Sequence, residues 1–306
     1  MTALKRMRTR NKVLLALVVY MALLIGLGVA YGSAGRNNEY QPQNEFKLDP
    51  WVKIKIGSLD LSLNKAVLYL FITCALTAWV MIYIARRMQD RPNRVQTAVE
   101  QTFDLTSNTI TRASMGPQMA AKWFPFCATL FFFIWISNLI GYIPLPVNSL
   151  EKVNIFGAHL PAFQVYAATA NIGVTLALAL LVWISYHVEG IRSKGFRGYF
   201  RGFVPSGVDS RAFRGVLFVI EIISHFVRII SLSVRLFANM LAGHLLILFM
   251  GGGLVVLLGI AALGLITIPV AVVFFAFEIV LIATLQAFIF SILSAIYLGE
   301  ATADHH

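Results

Sequence analysis

Residues 66–85 read AVLYLFITCALTAWVMIYIA, a run without one charged side chain. A helix rises about 1.5 Å per residue, so about 20 residues cross the roughly 30 Å hydrocarbon core of a bilayer. Arg86 and Arg87 follow at once, with Arg91 and Arg94 just beyond. The run therefore predicts a membrane-spanning helix with a cytoplasmic end, because cytoplasmic loops are rich in Lys and Arg.

The composition of the whole chain points the same way. Of its 306 residues, 58% are hydrophobic and 13% are charged, whereas soluble domains carry about 25% charged residues. So much apolar surface cannot be hidden in one soluble core of this size, which argues against a soluble enzyme and against disorder. The net charge of +11 comes from short basic runs between apolar segments. That distribution is typical of membrane-protein loops and not of a nucleic-acid-binding surface.

Four more apolar segments predict further spans: residues 123–143, 164–185, 216–250 and 254–298. Six cations lie between residues 192 and 214, which places that connection in the cytoplasm. We predict an all-α polytopic membrane protein with five transmembrane helices plus an N-terminal segment. Its expected orientation leaves the C-terminus cytoplasmic.

The predicted domain organisation follows from these spans. Residues 1–35 combine a basic start with an apolar run, which fits a signal peptide and fits an N-terminal membrane anchor equally well. Residues 36–65 are read as an external loop, residues 66–300 as the membrane domain and residues 301–306 as a polar tail.

Two connections and the cysteines complete the survey. Residues 93–113 carry apolar side chains at helical spacing, which predicts a helix on the membrane surface, and residues 144–163 are read as an external loop. Cys74 and Cys127 lie inside apolar runs and are interpreted as packing residues. The chain has no phosphate-binding loop and no nucleophile elbow, so we expect no nucleotide site, no cofactor and no metal.

Ionisable side chains are concentrated in the last two apolar segments. A charge at mid-membrane costs at least about 2.5–3.5 kcal/mol, so such residues usually serve function. The spans at 66–85, 123–143 and 164–185 contain neither charges nor histidines. The function is therefore expected in the C-terminal third, at Glu221, His225, Arg228, Arg235, His244 and Glu278.

Five polar positions share one face of the first of these segments. At about 100° per residue, residues 221, 225, 228, 235 and 239 fall within roughly an 80° arc, with Ser231 beside them. Such a stripe needs a partner surface or water, because it cannot face lipid. Gln286 and Glu278 offer polar positions on the following helix.

Plainer interpretations stand beside the functional one. Arg228 could extend along the helix to the membrane surface, and Glu221 could be an interfacial charge. His225 could be a buried polar contact, and His244 a packing residue. Arg235 lies roughly twenty residues from either end of its segment, so its alternative is a buried ion pair with Glu278.

Four motifs carry a resemblance to subunit a of F-type ATP synthases, the ATP6 family. SLSVRLFANMLAGH at residues 231–244 resembles the family's arginine signature, and QAFIFSILSAIYL at residues 286–298 resembles its C-terminal signature. FFFIWISNLIGYIP at residues 131–144 and the basic segment at residues 192–203 resemble two further motifs. The resemblance covers roughly residues 60–300.

The resemblance implies a stator subunit in the plasma membrane of a bacterium that passes protons to and from a rotating ring of c subunits. Two long C-terminal helices would lie tilted against the ring, and peripheral stalk b subunits and other ATP synthase subunits would be partners. Arg235 would face the ring carboxylates. The other implied channel residues are Asn239 and Gln286 beside Arg235, Glu221 on the cytoplasmic route, and His244, Glu278 and Asn138 on the external route. His225, Arg228 and Ser231 are auxiliary candidates.

Three departures from the family pattern have consequences. Glu278 lies eight residues before Gln286 where the pattern has seven, so a bulge in the helix is needed to pair Glu278 with His244. The segment after Pro161 reads Thr169-Ala-Asn171-Ile-Gly173, without the usual acidic residue. The basic, apolar N-terminal segment is an addition.

Two other classes of protein compete with this interpretation. A secondary transporter also gathers polar groups at mid-membrane, but it usually shows paired repeats, and none is visible in this sequence. A membrane scaffold without transport activity would have no use for Arg235, Asn239, His244 and Gln286 at these spacings.

Overall fold

The computed structural model describes residues 18–20, 22–23, 26, 46–56, 59–60, 62–89, 93–147, 152–155, 158–161, 163–204, 210–253 and 263–303. Five helices in these ranges are long and apolar enough to cross a membrane. The predicted all-α polytopic class is confirmed. Most of the N-terminal segment at residues 1–35 lies outside the described residues, as does the second half of the polar tail, residues 304–306.

The first spanning helix matches its prediction closely. Helix α1 runs Lys65–Arg86. It begins where the Asn64 side chain accepts a hydrogen bond from the backbone N–H of Val67 at 3.2 Å, because an N-cap satisfies a donor that the helix itself leaves open. Arg86 in the last turn suits the negative end of the helix dipole.

The predicted surface helix forms as α2, Arg94–Asp104, and continues as a π-helical segment, Leu105–Arg112. Helix α3, Pro117–Gly141, then crosses the membrane. Proline is well suited to the first turn, where its missing N–H would have had no partner in the helix.

The next helix is longer than predicted and displaced toward the C-terminus. Helix α4 runs Ile172–Arg201, whereas the apolar pattern placed the span at 164–185. Asn171 caps it by accepting a bond from the N–H of Gly173 at 2.7 Å. A kink at Gly195, with φ of 73°, divides the helix, and only glycine adopts that backbone conformation readily. His187 and Glu189 therefore lie inside the helix, although the sequence-based boundary had excluded them.

The predicted external loops contain short antiparallel strands. β1 (Lys55–Ile56) pairs with β2 (Leu59–Asp60), and β3 (Leu145–Pro146) pairs with β6 (Phe163–Gln164). Between the latter two, β4 (Lys152–Ile155) and β5 (Ala158–Pro161) form a hairpin. The predicted loop at residues 144–163 therefore contains paired strands, because backbone polar groups in this segment bond to one another.

The two C-terminal apolar segments form long helices. Helix α5 runs Arg211–Leu248 and ends in a π-helical segment, Phe249–Gly253. Helix α6 runs Gly264–Phe277 and continues through a π-helical turn, Glu278–Ile282, into α7, Ala283–Thr302.

The chain divides into two compact units. The larger comprises Leu48–Leu241 and Ile279–His306, and the smaller comprises Met1–Lys47 and Ala242–Glu278. In the larger unit α7 packs against α3 and α4, and α1 packs against α3. The hydrogen bonds that join α3 to α7 include Trp135 Nε1 to the Thr284 hydroxyl at 3.0 Å and the Ser291 hydroxyl to the carbonyl of Cys127 at 2.7 Å.

The surface of the larger unit is apolar where lipid is expected. Phe71 and Trp79 on α1 are 68% and 61% exposed. Cys74 is exposed on the same helix and Cys127 is buried in α3, and both are free thiols. In the smaller unit α6 packs against the π-helical segment at Phe249–Gly253.

Candidate functional site

Arg235 lies about two-thirds of the way along α5 and is only half-buried. Ser231 and Asn239, one helical turn before and after it, are exposed on the same face. Among the described residues, the ion pairs that form join other side chains, and none includes Arg235. Among the described residues of the larger unit, Arg235 is therefore not half of an ion pair, and the Ser231–Arg235–Asn239 face is partly exposed.

Arg228 points elsewhere and is already engaged. Its Nη1 lies 2.8 Å from Oε2 of Glu300, and its guanidinium carbon lies 4.8 Å from the ring centre of Tyr297. Both partners belong to α7. Arg228 therefore ties α5 to the end of α7 in the larger unit, which agrees with a structural role more than with a free channel charge.

His225 and Glu221 form a pair on α5. The imidazole is buried, and its Nδ1 lies 3.0 Å from the hydroxyl oxygen of Tyr186 on α4. Its Nε2 lies 3.6 Å from Oε1 of Glu221, whose side chain is 36% exposed. The Glu221 carboxyl group thus lies close to the buried imidazole of His225 and is also partly exposed. An isolated interfacial charge would have no such buried neighbour.

Two α4 residues that sequence reasoning missed adjoin this pair. His187 and His225 pack edge to face with ring centres 4.8 Å apart, and the hydroxyl of Tyr199 lies 2.9 Å from Nδ1 of His187. His187 stood two residues beyond the predicted end of its span and was not considered. A longer helix assignment would have revealed it as a histidine within an apolar segment.

Asn138 on α3 is fully buried, and both the oxygen and the nitrogen of its side-chain amide form hydrogen bonds. Its Oδ1 accepts a bond from the Thr169 hydroxyl at 2.7 Å, and its Nδ2 donates to the carbonyl of Ala283 at 3.4 Å. It therefore bridges α3 to α7 and to the turn before α4. Gln286, one turn further along α7, is also buried.

The smaller unit holds the other two predicted channel residues. His244 and Glu278 are both buried. A Cβ atom added to Gly243 would lie 2.5 Å from the carboxyl carbon of Glu278, so that carboxyl group rests against the backbone just before His244. The bulge that the eight-residue spacing required is present, because the π-helical turn begins at Glu278 itself. A π turn holds one residue more than an α turn and so absorbs the extra position.

A polar cluster of the larger unit adjoins Asn171, the position at which the family pattern has an acidic residue. Lys65 is buried, and its Nζ lies 3.2 Å from Oε1 of Gln164 and 5.1 Å from the ring centre of Tyr166. Burial raises the pKa of Tyr166 to about 12, so its hydroxyl stays neutral at physiological pH. Asn171, at the departure from the family pattern, serves as the cap of α4.

These features define a class of protein: a polytopic helical membrane protein whose polar and ionisable side chains lie along its long C-terminal helices. Within the described ranges, no group of three or more His, Cys, Asp or Glu side chains could hold a metal ion.

Comparison with known proteins narrows the class. The family model of the ATP synthase A chain matches residues 67–299. ATP synthase subunit a of Rubrobacter xylanophilus is 33% identical over 258 residues, which cover 83% of this chain and 90% of the relative. The subunit of Hyphomonas neptunium is 34% identical over 272 residues, covering 87% of this chain and 97% of the relative. That of Bradyrhizobium diazoefficiens is 36% identical over 272 residues, covering 87% and 98%.

The chain belongs to the ATP synthase A chain family. It is a multi-pass membrane protein that acts in the membrane sector of an ATP synthase, in proton translocation and together with other ATP synthase subunits.

Proposed function

We propose that Arg235 faces the carboxylates of a rotating c-subunit ring and separates two proton half-channels. The observation that carries this proposal is the position of Arg235. It is half-buried about two-thirds of the way along a 38-residue helix, on a face shared with Asn239, and without an ion pair among the described residues of the larger unit. A charge at that depth is costly. It is stabilised when a carboxylate of a neighbouring subunit comes within reach.

Elementary electrostatics gives Arg235 two roles. A rotor carboxyl group surrounded by lipid is stable only when protonated, because desolvation disfavours its charged form. Beside Arg235 the carboxylate form is favoured, so the proton can leave there. The fixed positive charge also repels a proton that would otherwise pass directly from one half-channel to the other.

The remaining polar residues supply the two routes. Glu221 serves the cytoplasmic route, while His244, Glu278 and Asn138 serve the external one. Gln286 and Asn239 are polar neighbours of the arginine. Each proton that crosses down the membrane potential releases about 2.3 kcal/mol per 100 mV, and this free energy drives rotation of the ring.

The proposal also includes an orientation and further partners. The cations in the last turns of α4 and the first turn of α5 favour a cytoplasmic location for the connection between these helices. With that orientation the C-terminus is cytoplasmic, and the chain lies in the plasma membrane of a bacterium. The c-subunit ring and the peripheral stalk b subunits are the proposed partners within the complex.

The test is the Arg235→Ala substitution in the complete complex. We expect ATP-driven proton pumping in inverted membrane vesicles to fall to background while the complex still assembles, because the other cation on this face, Arg228, is already paired with Glu300. Arg235→Lys is also expected to pump poorly, since lysine lacks the planar guanidinium and can lose its proton.

The matched control is Arg214→Ala, which removes the same charge near the start of the same helix and should leave pumping close to normal. A normal pumping rate in assembled Arg235→Ala complexes would refute the proposal.

A further inference from the structure

Four side chains form a compact cluster that the proposed function does not use. Tyr186, His187 and Tyr199 of α4 and His225 of α5 make up this tyrosine–histidine cluster, which lies within the larger unit. Tyr186, Tyr199 and His225 are buried, and His187 is half-buried. Two histidines and two tyrosines in an apolar setting need a reason, because unsatisfied polar groups there are costly.

The hydrogen bonds in the cluster engage one ring nitrogen of each histidine. Nδ1 of His225 is held by the Tyr186 hydroxyl at 3.0 Å, which leaves Nε2 turned toward Glu221 at 3.6 Å. Nδ1 of His187 is held in the same way by the Tyr199 hydroxyl at 2.9 Å. A neutral imidazole has one donor and one acceptor nitrogen, so fixing Nδ1 determines what Nε2 can do.

The positions of Glu221 and His225 along α5 relate both residues to the proposed cytoplasmic route. His225 follows Glu221 by four residues, so it lies about 6 Å deeper toward Arg235. The distance of 3.6 Å between Nε2 and Oε1 is longer than a hydrogen bond, but such contacts often shorten in the working complex.

We propose that His225 and Glu221 exchange the transported proton and that Tyr186 positions the imidazole. In the direction of release, the imidazolium Nε2–H gives its proton to the Glu221 carboxylate, which leaves a neutral imidazole and a carboxylic acid. The acid then loses its proton to cytoplasmic water, and uptake runs through the same steps in reverse. The proposal rests on the proposed function, because it extends the cytoplasmic route by one helical turn.

The other neighbours of His225 are structural by their contacts. His187 packs on the imidazole edge to face, and Phe203 covers it with ring centres 4.9 Å apart. Arg228 is engaged with Glu300 and Tyr297. These contacts fix the ring of His225 in one orientation.

The experiment replaces the imidazole in two ways that cannot carry a proton. His225→Gln and His225→Asn keep a polar side chain of related length, and Glu221→Gln removes the partner. ATP-driven pumping, measured in inverted vesicles and scaled to the amount of assembled complex, should fall at least about tenfold in each variant. The matched control is Trp183→Phe, which alters the ring packed on His187 at 4.2 Å and should leave pumping close to normal.

A double-mutant cycle separates a working pair from two independent contributions. If the two groups act in series, Glu221→Gln/His225→Gln should pump no more slowly than the worse single variant. Tyr186→Phe should slow pumping in the wild-type background but not in the His225→Gln background, which a purely structural tyrosine would not do.

Each outcome decides the proposal. Normal pumping in either assembled histidine variant, or losses that multiply in the double variant, would overturn it. The proposed function would survive that result as long as Arg235→Ala stays inactive. If neither histidine variant assembles, normal pumping by Tyr186→Phe would overturn the exchange.

Discussion

At the scale of single residues, the charged groups of the membrane helices are handled in different ways. Arg228 is neutralised by Glu300, and the buried Glu189 is neutralised by Lys122 at 2.5 Å. Arg235 has no such ion pair in the described part of the chain. Because a charge removed from water is costly unless it is paired, this difference separates charges that hold helices together from the one that the proposed function assigns to a partner subunit.

Gly243 yields a prediction at the same scale. The Gly243→Ala substitution adds a Cβ atom that would lie 2.5 Å from the carboxyl carbon of Glu278, so the carboxyl group must move. We expect pumping to fall severalfold, measured as ATP-driven acidification of inverted vesicles. Gly251→Ala is the matched control, because nothing lies within 4 Å of the added atom there. Equal effects of the two substitutions would contradict the steric explanation.

At the scale of secondary-structure elements, two departures from the family's sequence motifs coincide with defined features of the helices. The extra residue between Glu278 and Gln286 coincides with the π-helical turn at Glu278–Ile282. The missing acidic group after Thr169 coincides with a cap, since Asn171 begins helix α4. Both departures from the motifs are therefore compatible with continuous helices.

The π turn can be tested by deletion. Removing Val280, which is 72% exposed, should convert the π turn into an α turn and leave the helix continuous. We expect the deletion variant to assemble and to pump at no less than about half the normal rate. Deleting Ile289 is the control, since a residue lost from regular α-helix turns everything beyond it by about 100° and should abolish pumping. A Val280 deletion variant that assembles normally but does not pump would contradict the explanation that the π turn accommodates the extra residue.

At the scale of the whole molecule, the distribution of basic residues predicts the orientation in the membrane. After Cys74 and Cys127 are replaced by serine, single cysteines are introduced by Ser62→Cys and Ala303→Cys. Both variants are then treated with a membrane-impermeant thiol reagent. The cysteine at position 303 should react at least about tenfold faster in inverted vesicles than in vesicles of native orientation. The cysteine at position 62 should show the opposite preference. The reverse pattern would invert the proposed assignment of the two half-channels.

Several features of this protein could be predicted from the sequence. Uninterrupted apolar runs determine that it spans the membrane, because nothing else can accommodate them, and α1 follows its predicted bounds within one residue at each end. The 3.6-residue period placed Glu221, His225, Arg228, Arg235 and Asn239 near one face of α5. The family was also evident from the motifs, since side-chain spacing along a helix is a local property.

The tertiary structure alone decided which of these polar residues act together. Helical spacing placed Arg228 and Arg235 on the same face of α5. Yet Arg228 pairs with Glu300, seventy-two residues later in the chain, and Arg235 has no ion pair among the described residues of the larger unit. Likewise the contact of His225 with Tyr186 depends on how α4 packs against α5. Such contacts join residues that are distant in sequence, and their energies depend on burial and on distances of a few ångströms. A one-dimensional pattern contains neither quantity, which is why the sequence alone could not reveal the tyrosine–histidine cluster.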